Sequence, residues 1–312
     1  CAEDNWLPPD NIQEEPGPVV AHRTSSTNIG LSLLAHLSAY DFGYLSATGL
    51  MDRLDKTFSS MSKLKREHNH FYNWYDTKTL EPLYPRYIST VDSGNLAGHL
   101  LTLQAGLLKI EDEPVFSCRI FHGIMDTINV LMNELSYEPS THKAWQEIKK
   151  TAIDSCTTEI NTLPQALAAF EELKILAEKL HQPDVLRPGS EAAFWGKALV
   201  AQINDYYTHF NSLLLPQKNL QEDLRLQMPS LGQLAKINIA DFSEELRQEA
   251  GKVKLKANSL IKQSKQLAAM AASFAEMDFK FLYDRKRKFL SIGFNVEENK
   301  LDKNTFELIR CD

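Results

Sequence analysis

The chain has 312 residues, 43% hydrophobic and 24% charged, enough to bury a full core and too apolar on average for a disordered segment. Its formal net charge of -7 argues against nucleic-acid binding, which asks for a basic face. No run of about 18 apolar residues is present to cross a membrane as a helix.

In chain order, residues 1–28 are irregular, because Pro8, Pro9, Pro16 and Pro18 forbid a regular helix. The polar stretch His22-Arg23-Thr24-Ser25-Ser26-Thr27-Asn28 supplies Ser and Thr to cap a helix whose apolar face is Ile29, Leu33, Leu34 and Leu37. Gly43 marks a break. A second amphipathic segment runs from about Leu50 to Lys65 with Met51, Leu54, Phe58, Met61 and Leu64 on one face.

The stretch His70-Phe71-Tyr72-Asn73-Trp74-Tyr75-Asp76-Thr77 then reads as a loop, continuing through Pro82, Pro85 and Tyr87. Asp92-Ser93 reads as the N-cap of a third helix carrying Leu96, Leu100, Leu103 and Leu107. Helix-period segments follow at 118–136, 142–160, 163–181, 190–214 and 241–276, as a helical hairpin or small bundle would give. Phe279 to Tyr283 and Phe289 to Phe294 flank Asp284-Arg285-Lys286-Arg287-Lys288, a pattern that predicts a β-hairpin.

The chemistry concentrates in two places, 70–77 and 91–99. Aromatic faces can stack on the C–H faces of a sugar, while Asn73, Asp76, Asp92 and Asn95 can bond its hydroxyls. A buried core has no use for these four unless each is paired. The polar stretches 22–28 and 92–95 both fall at helix N-termini, with free N–H donors and positive potential, and the aromatic loop lies between them. Asp76 and Asp92 are open to two readings, an acid–base pair or hydroxyl-binding and helix-capping groups.

His68 and His70 have strand spacing for a metal, but no acidic or Cys partner completes a site, so no metal and no cofactor are expected in this segment. Ser25 and Ser93 lack a nucleophile-elbow pattern. The four cysteines (Cys1, Cys118, Cys156 and Cys311) show neither zinc nor disulfide spacing, which fits a reducing compartment. The run Asp284–Lys288 reads as a solvated hairpin tip.

Several of these segments, in order, resemble one family. Pro8-Pro9-Asp10-Asn11, Gln13-Glu14, Val19 to Ser25, Thr27-Asn28-Ile29-Gly30, His70 to Thr77, Val91 to Leu100, Phe281-Leu282-Tyr283-Asp284 and Ser291 to Val296 resemble the N-terminal portion of the central glucoamylase-like domain of cyclic β-1,2-glucan synthases. The resemblance is specific at both ends of the chain and loose in the helical middle. Ser26 stands where the family pattern usually has Pro.

The resemblance implies a mainly α fold: part of an (α/α)6 toroid with a helical-bundle insertion and a small β-hairpin. It divides the chain into 1–111, the first helices and sugar-facing loops, 112–276, the insertion, and 277–312, the hairpin and return. It implies a large multidomain protein of the bacterial inner membrane, with this segment on the cytoplasmic side. One domain of such a protein polymerises glucose from UDP-glucose, and the glucoamylase-like domain transglycosylates the β-1,2-glucan to close the ring.

The expected partners are the glucan chain and the remaining domains, not nucleic acid. The family's catalytic glutamates are expected beyond residue 312, so no catalytic residue is assigned here and the isolated chain is expected to lack turnover. The positions that match its motifs as sugar contacts are His22, Arg23, Asn28, Tyr72, Asn73, Trp74, Asp76, Asp92, Asn95 and His99. The competing expectation is a stand-alone helical interaction module, or a lipoprotein acylated at Cys1, without glycan chemistry. Cys1 at the start and Arg310-Cys311-Asp312 at the end, with no closing element, fit a piece of a longer protein better.

Overall fold

The computed structural model describes residues 2–135, 139–157, 160–180, 186–216 and 227–305. Cys1, Arg310-Cys311-Asp312 and the predicted helix ends at 136 and 181 lie outside them. The fold is mainly α. It divides into two compact units, the first made of residues 1–37, 51–108 and 265–312, the second of 38–50 and 109–264.

The first unit takes its core from α1 (Ser26–Asp41), α2 (Ala47–Met61) and α3 (Thr90–Lys109). The predicted periodicity is the buried face, apart from Leu34, which is half-buried: Ile29, Leu33 and Leu37, then Met51, Leu54, Phe58 and Met61, then Leu96, Leu100, Leu103 and Leu107 are all buried. Each such side chain contributes about 1.5–3 kcal/mol relative to leaving it in water. Ser25 caps α1, accepting the Asn28 N–H at 3.1 Å.

The cap of α3 differs from expectation. The helix starts at Thr90, and Ser89 accepts the Asp92 N–H at 3.2 Å, so Asp92 lies in the first turn rather than at the cap. α1 and α3 run parallel: Thr27 bonds Asp92, Gly30 lies against His99 and Gly106 against Leu37. Their N-termini therefore share one end of the unit.

The segments before α1 and between α2 and α3 are built of very short strands rather than loop alone. β1 (Ile12–Gln13) pairs β2 (Val19–Val20), and β3 (Arg23–Thr24) pairs β6 (Tyr75–Asp76). β4 (Arg66–Glu67) and β5 (His70–Phe71) form a two-residue hairpin in which His68 and Asn69 both take positive φ, 49° and 64°. His68 is thus a turn residue, stacked on Phe281 at 4.4 Å, and not a strand ligand. His70 is buried, its Nδ1 2.8 Å from Ser93 Oγ and its Nε2 2.9 Å from the Asp278 carbonyl.

β7 (Tyr87–Ser89) joins a three-stranded antiparallel sheet in the order β11-β10-β7 with β10 (Gly293–Asn295) and β11 (Lys300–Leu301). The predicted hairpin survives as β8 (Tyr283–Asp284) and β9 (Phe289–Leu290). It is shorter than expected. The Asp278 carboxylate accepts the Lys280 N–H at 2.9 Å and starts a 3-10 turn at Phe279–Leu282, while residues 293–295 leave to pair with β7.

The second unit contains α4 (Arg119–Glu134), α5 (Pro139–Thr157), α6 (Leu163–Leu180) and α7 (Glu191–Leu213), with α4 against α5 and α7 and α6 against α5 and α7. This is a four-helix bundle. Its core holds Phe121, Phe170, Tyr206 and Phe210, with Phe121 stacked on Phe170 at 5.3 Å and Phe170 edge-on to Phe210 at 5.3 Å. The short α8 (Leu231–Lys236) opens with a capping box of Ser230 and Gln233, and α9 (Glu244–Ala275) is the long Lys- and Ala-rich helix.

Residues 38–50 group with this bundle for a specific reason. One face of α7 is spent on them: Gln202 Nε2 donates to the Gly43 carbonyl (3.0 Å) and Tyr206 Oη to the Leu45 carbonyl (2.7 Å). Asp205 Oδ2 accepts the Ser46 N–H (2.8 Å), and His209 Nδ1 meets Thr48 Oγ1 (2.8 Å). Gly43, at φ +79°, ends α1, and a Cβ on Gly123 of α4 would stand 2.5 Å from its carbonyl oxygen.

Candidate functional site

The first unit carries a continuous network of polar side chains where α1 and α3 begin. Asn95 Nδ2 donates to Thr27 Oγ1 (3.3 Å), and Thr27 Oγ1 donates to Asp92 Oδ1 (2.5 Å). The Asn73 amide, oriented so that both its atoms find partners, donates to Asp92 Oδ2 (3.1 Å) and accepts the Trp74 indole N–H (3.2 Å). The Arg23 guanidinium lies over the Trp74 ring, 4.8 Å from its centroid. It donates from Nε (3.3 Å) and Nη2 (3.1 Å) to Asp10 Oδ2, and Asn28 Nδ2 donates to Asp10 Oδ1 (3.0 Å).

Local structure explains the placement. Thr27 and Asn28 lie in the first turn of α1, Asp92 and Asn95 near the start of α3, so a carboxylate sits at the favourable end of the α3 dipole. The β3–β6 pairing sets Arg23 opposite Asp76, and the N–H of Asn73 donates to the Tyr87 carbonyl (2.7 Å), which fixes the intervening residues 73 and 74. Asn95 and Arg23 are exposed; Thr27, Asn28, Asn73, Trp74 and Asp92 are half-buried. These groups offer amide donors and acceptors, two carboxylates and an indole at a solvent-facing end.

The structure brings together six of the ten predicted contacts: Arg23, Asn28, Asn73, Trp74, Asp92 and Asn95. The other four are engaged elsewhere. His22 Nδ1 bonds Asp4 Oδ1 (2.8 Å), tying down the N-terminal segment. Tyr72 and Tyr75 are buried in the core, with the Tyr72 N–H donating to Tyr75 Oη (2.7 Å) and Tyr75 Oη donating to the Lys65 carbonyl (2.6 Å). Neither tyrosine presents a face for stacking.

Asp76 Oδ1 accepts the backbone N–H groups of Lys78 (2.9 Å) and Thr79 (2.7 Å), the short-range turn chemistry of Asp. His99 lies further along α3 against Gly30, with its Nδ1 buried and without a hydrogen-bond partner among the described residues. Burial lowers the basicity of His99.

Sequence reasoning missed Asp10 and Thr27 as members of the network. Both stood inside motifs of the family resemblance, yet neither is aromatic-flanked, and only the fold carries Asp10 to Arg23 and Asn28. It also missed Asp4, buried beneath His22 and bonded to Thr77 Oγ1 (2.5 Å). Burial pushes the Asp4 carboxyl up, but the hydrogen bonds from Thr77 and His22 outweigh it and hold the group below its ordinary range.

Asp76 is likewise held low, first by the Thr79 N–H. Both shifts run away from the range a general acid needs. Asp76 Oδ1 is engaged in its turn, while Asp92 is held by Thr27 and Asn73. Among the described residues no three His, Cys, Asp or Glu side chains gather as metal ligands would.

A second polar cluster lies in the second unit. Tyr40 Oη donates to Glu113 Oε2 (3.0 Å), Arg119 Nη2 donates to the same oxygen (3.0 Å), and the guanidinium lies 4.8 Å from the Tyr40 ring centroid. It borders a pocket of about 400 Å³, open mouth included, lined also by Ser117, Tyr206 and His209.

Along its whole length the chain is 30% identical, over 328 aligned positions, to the cyclic β-(1,2)-glucan synthase NdvB of Rhizobium meliloti (strain 1021). The chain is related at family level to the cyclic β-(1,2)-glucan synthases. It spans 10% of the length of that synthase. No family model matches it. The synthase relation covers both the first unit with its network and the bundle, so neither is foreign to the alignment.

Proposed function

We propose that this chain is a segment of a larger cyclic β-1,2-glucan synthase and that its network at the α1 and α3 N-termini is part of the surface holding a β-1,2-linked glucan. The observation that carries the reading is the unbroken series from Asn95 through Thr27, Asp92, Asn73, Trp74, Arg23 and Asp10 to Asn28. A sugar ring stacks on an indole face, and its vicinal hydroxyls match amides and carboxylates. Here those groups are already oriented by one another, so little side-chain freedom remains to be lost on binding.

The family relation supports a glucan as the ligand, and the 10% coverage leaves room for the other domains of such a protein. In this reading the parent is a transglycosylase of (α/α)6 type at the cytoplasmic side of a bacterial inner membrane, and its acid and base lie on other segments. Among the described residues no helix is long and apolar enough to cross a membrane.

The test is titration of the chain with linear β-1,2-glucan oligosaccharides, followed by tryptophan fluorescence and calorimetry, with β-1,4-linked oligosaccharides as the control. The β-1,2 series should bind, and Trp74→Ala should weaken it at least about tenfold, roughly 1.4 kcal/mol. A folded chain that ignores β-1,2-glucan, or a Trp74→Ala variant that binds as well as the parent, overturns the reading. Ring closure by the chain itself at enzyme-like rates would overturn the assignment of the chemistry to other segments.

A further inference from the structure

The basic hairpin of the first unit plays no part in the sugar network. Its tip, Arg285-Lys286-Arg287-Lys288, is four consecutive cations, all exposed. From 280 to 303 there are seven Lys and Arg against four Asp and Glu, a local net charge of +3 in a chain whose total is -7. The tip is not a loose end. Asp284 Oδ1 accepts the N–H groups of Lys286 (2.8 Å) and Arg287 (3.1 Å), and the Arg287 guanidinium donates to the Lys303 carbonyl.

Lys288 sits at φ +59°, where Gly or Asn closes a turn more easily. A charged residue occupies the position that turn chemistry alone would give to glycine. Tyr283 and Leu290 are direct cross-strand partners, so they share one face, and they stay 43% and 36% exposed.

We infer that hairpin 283–290 is a contact for an anionic lipid bilayer, with Arg285, Lys286 and Lys288 on headgroup phosphates and Tyr283 and Leu290 at the interface. Tyrosine favours that layer, and long basic side chains reach headgroups from it. The exposed cations of the tip complement the negative charge of anionic headgroups. A nucleic acid is the weaker match, since the chain as a whole carries a net charge of -7. The inference stands apart from the glucan reading and survives its failure.

The experiment is sedimentation of the 312-residue chain with vesicles of phosphatidylcholine containing about one-third phosphatidylglycerol, and with pure phosphatidylcholine, across a salt series. The chain should partition onto the anionic vesicles only, and less so as salt rises. Each cation is worth about fivefold in partitioning, so Lys286→Glu with Lys288→Glu should weaken it at least about 30-fold. Tyr283→Ser with Leu290→Ser should weaken what remains at high salt. Circular dichroism checks that each variant is folded. Equal partitioning onto neutral vesicles, none onto either, or an unchanged double-Glu variant overturns the inference. So does displacement from vesicles by a single-stranded RNA at lower concentration than by competing anionic lipid.

Discussion

The network of the first unit and the α7 face of the second draw on similar residue types to different ends. At the α1 and α3 N-termini, side chains bond mainly to other side chains and stay in reach of solvent. On α7, Gln202, Asp205 and Tyr206 bond the main chain of residues 43–46, and His209 bonds Thr48 within a buried core. Residue type therefore does not separate a binding surface from a structural clamp. What separates them is whether the partner is a side chain at the surface or a buried backbone group that must be satisfied. Changes in the clamp should unfold the protein, and changes in the network should alter ligand binding.

The largest effect is expected from acid. Burial lowers the pKa of His209 to about 4, with Lys256 adding to the shift. The unfolded chain takes that proton first, near pH 6.5. Stability is therefore full above about pH 6.5 and falls by roughly 3 kcal/mol as pH drops toward 4. His36 is lowered to about 4 by burial in the same way, so His209→Gln should make the acid limb shallower without flattening it in urea titrations at stepped pH; a limb of unchanged depth would remove His209 as a source.

Gly123→Ala should come next, costing about 2–3 kcal/mol because its Cβ meets the Gly43 carbonyl, with the glucan affinity of the folded fraction unchanged. Asp92→Ala reverses the pattern. It strips Thr27 and Asn73 of their shared acceptor, costs about 1 kcal/mol of stability, and should lose most of the glucan binding seen by calorimetry. Asp76→Asn should leave that binding intact, since the Asn side chain can serve the same turn; a clear loss would return Asp76 to the ligand surface. Smallest is Lys65→Ala. Its 2.5 Å pair with Glu81 is mostly exposed on both sides and is worth about 0.5 kcal/mol or less.

The three helices of the first unit were legible because Leu, Ile, Met and Phe recur with helical period, and those same residues fill the core. The strands between them were not. Two-residue pairings such as Arg66–Glu67 with His70–Phe71 are too short to show alternation. Asp92 was placed one turn early because an Asp-Ser pair looks like a cap, while Ser89, before β-branched Thr90 and Val91, looks like the end of a strand.

At the site, the sequence located the aromatic segment and the start of α1 but could not tell Trp74, half-exposed, from Tyr72 and Tyr75, both buried. The α7 clamp left no local signal, because Gln202 and Gly43 are 159 residues apart.

That clamp leaves its mark on how the sequence is free to drift. Three of its four bonds read backbone atoms of Gly43, Leu45 and Ser46 rather than their side chains. Leu45 can therefore change without releasing the main-chain groups that α7 holds, whereas Ser46 is also kept by its own side chain, buried and accepting the Gly49 N–H at 3.0 Å. The helix has no such freedom: Gln202, Asp205 and Tyr206 bind through their side chains, so loss of any one leaves a buried backbone group unpaired. Variation among related chains should accordingly collect at 45 and be purged at 202, 205 and 206, making the helix, more than the segment it grips, the lasting signature of the joint.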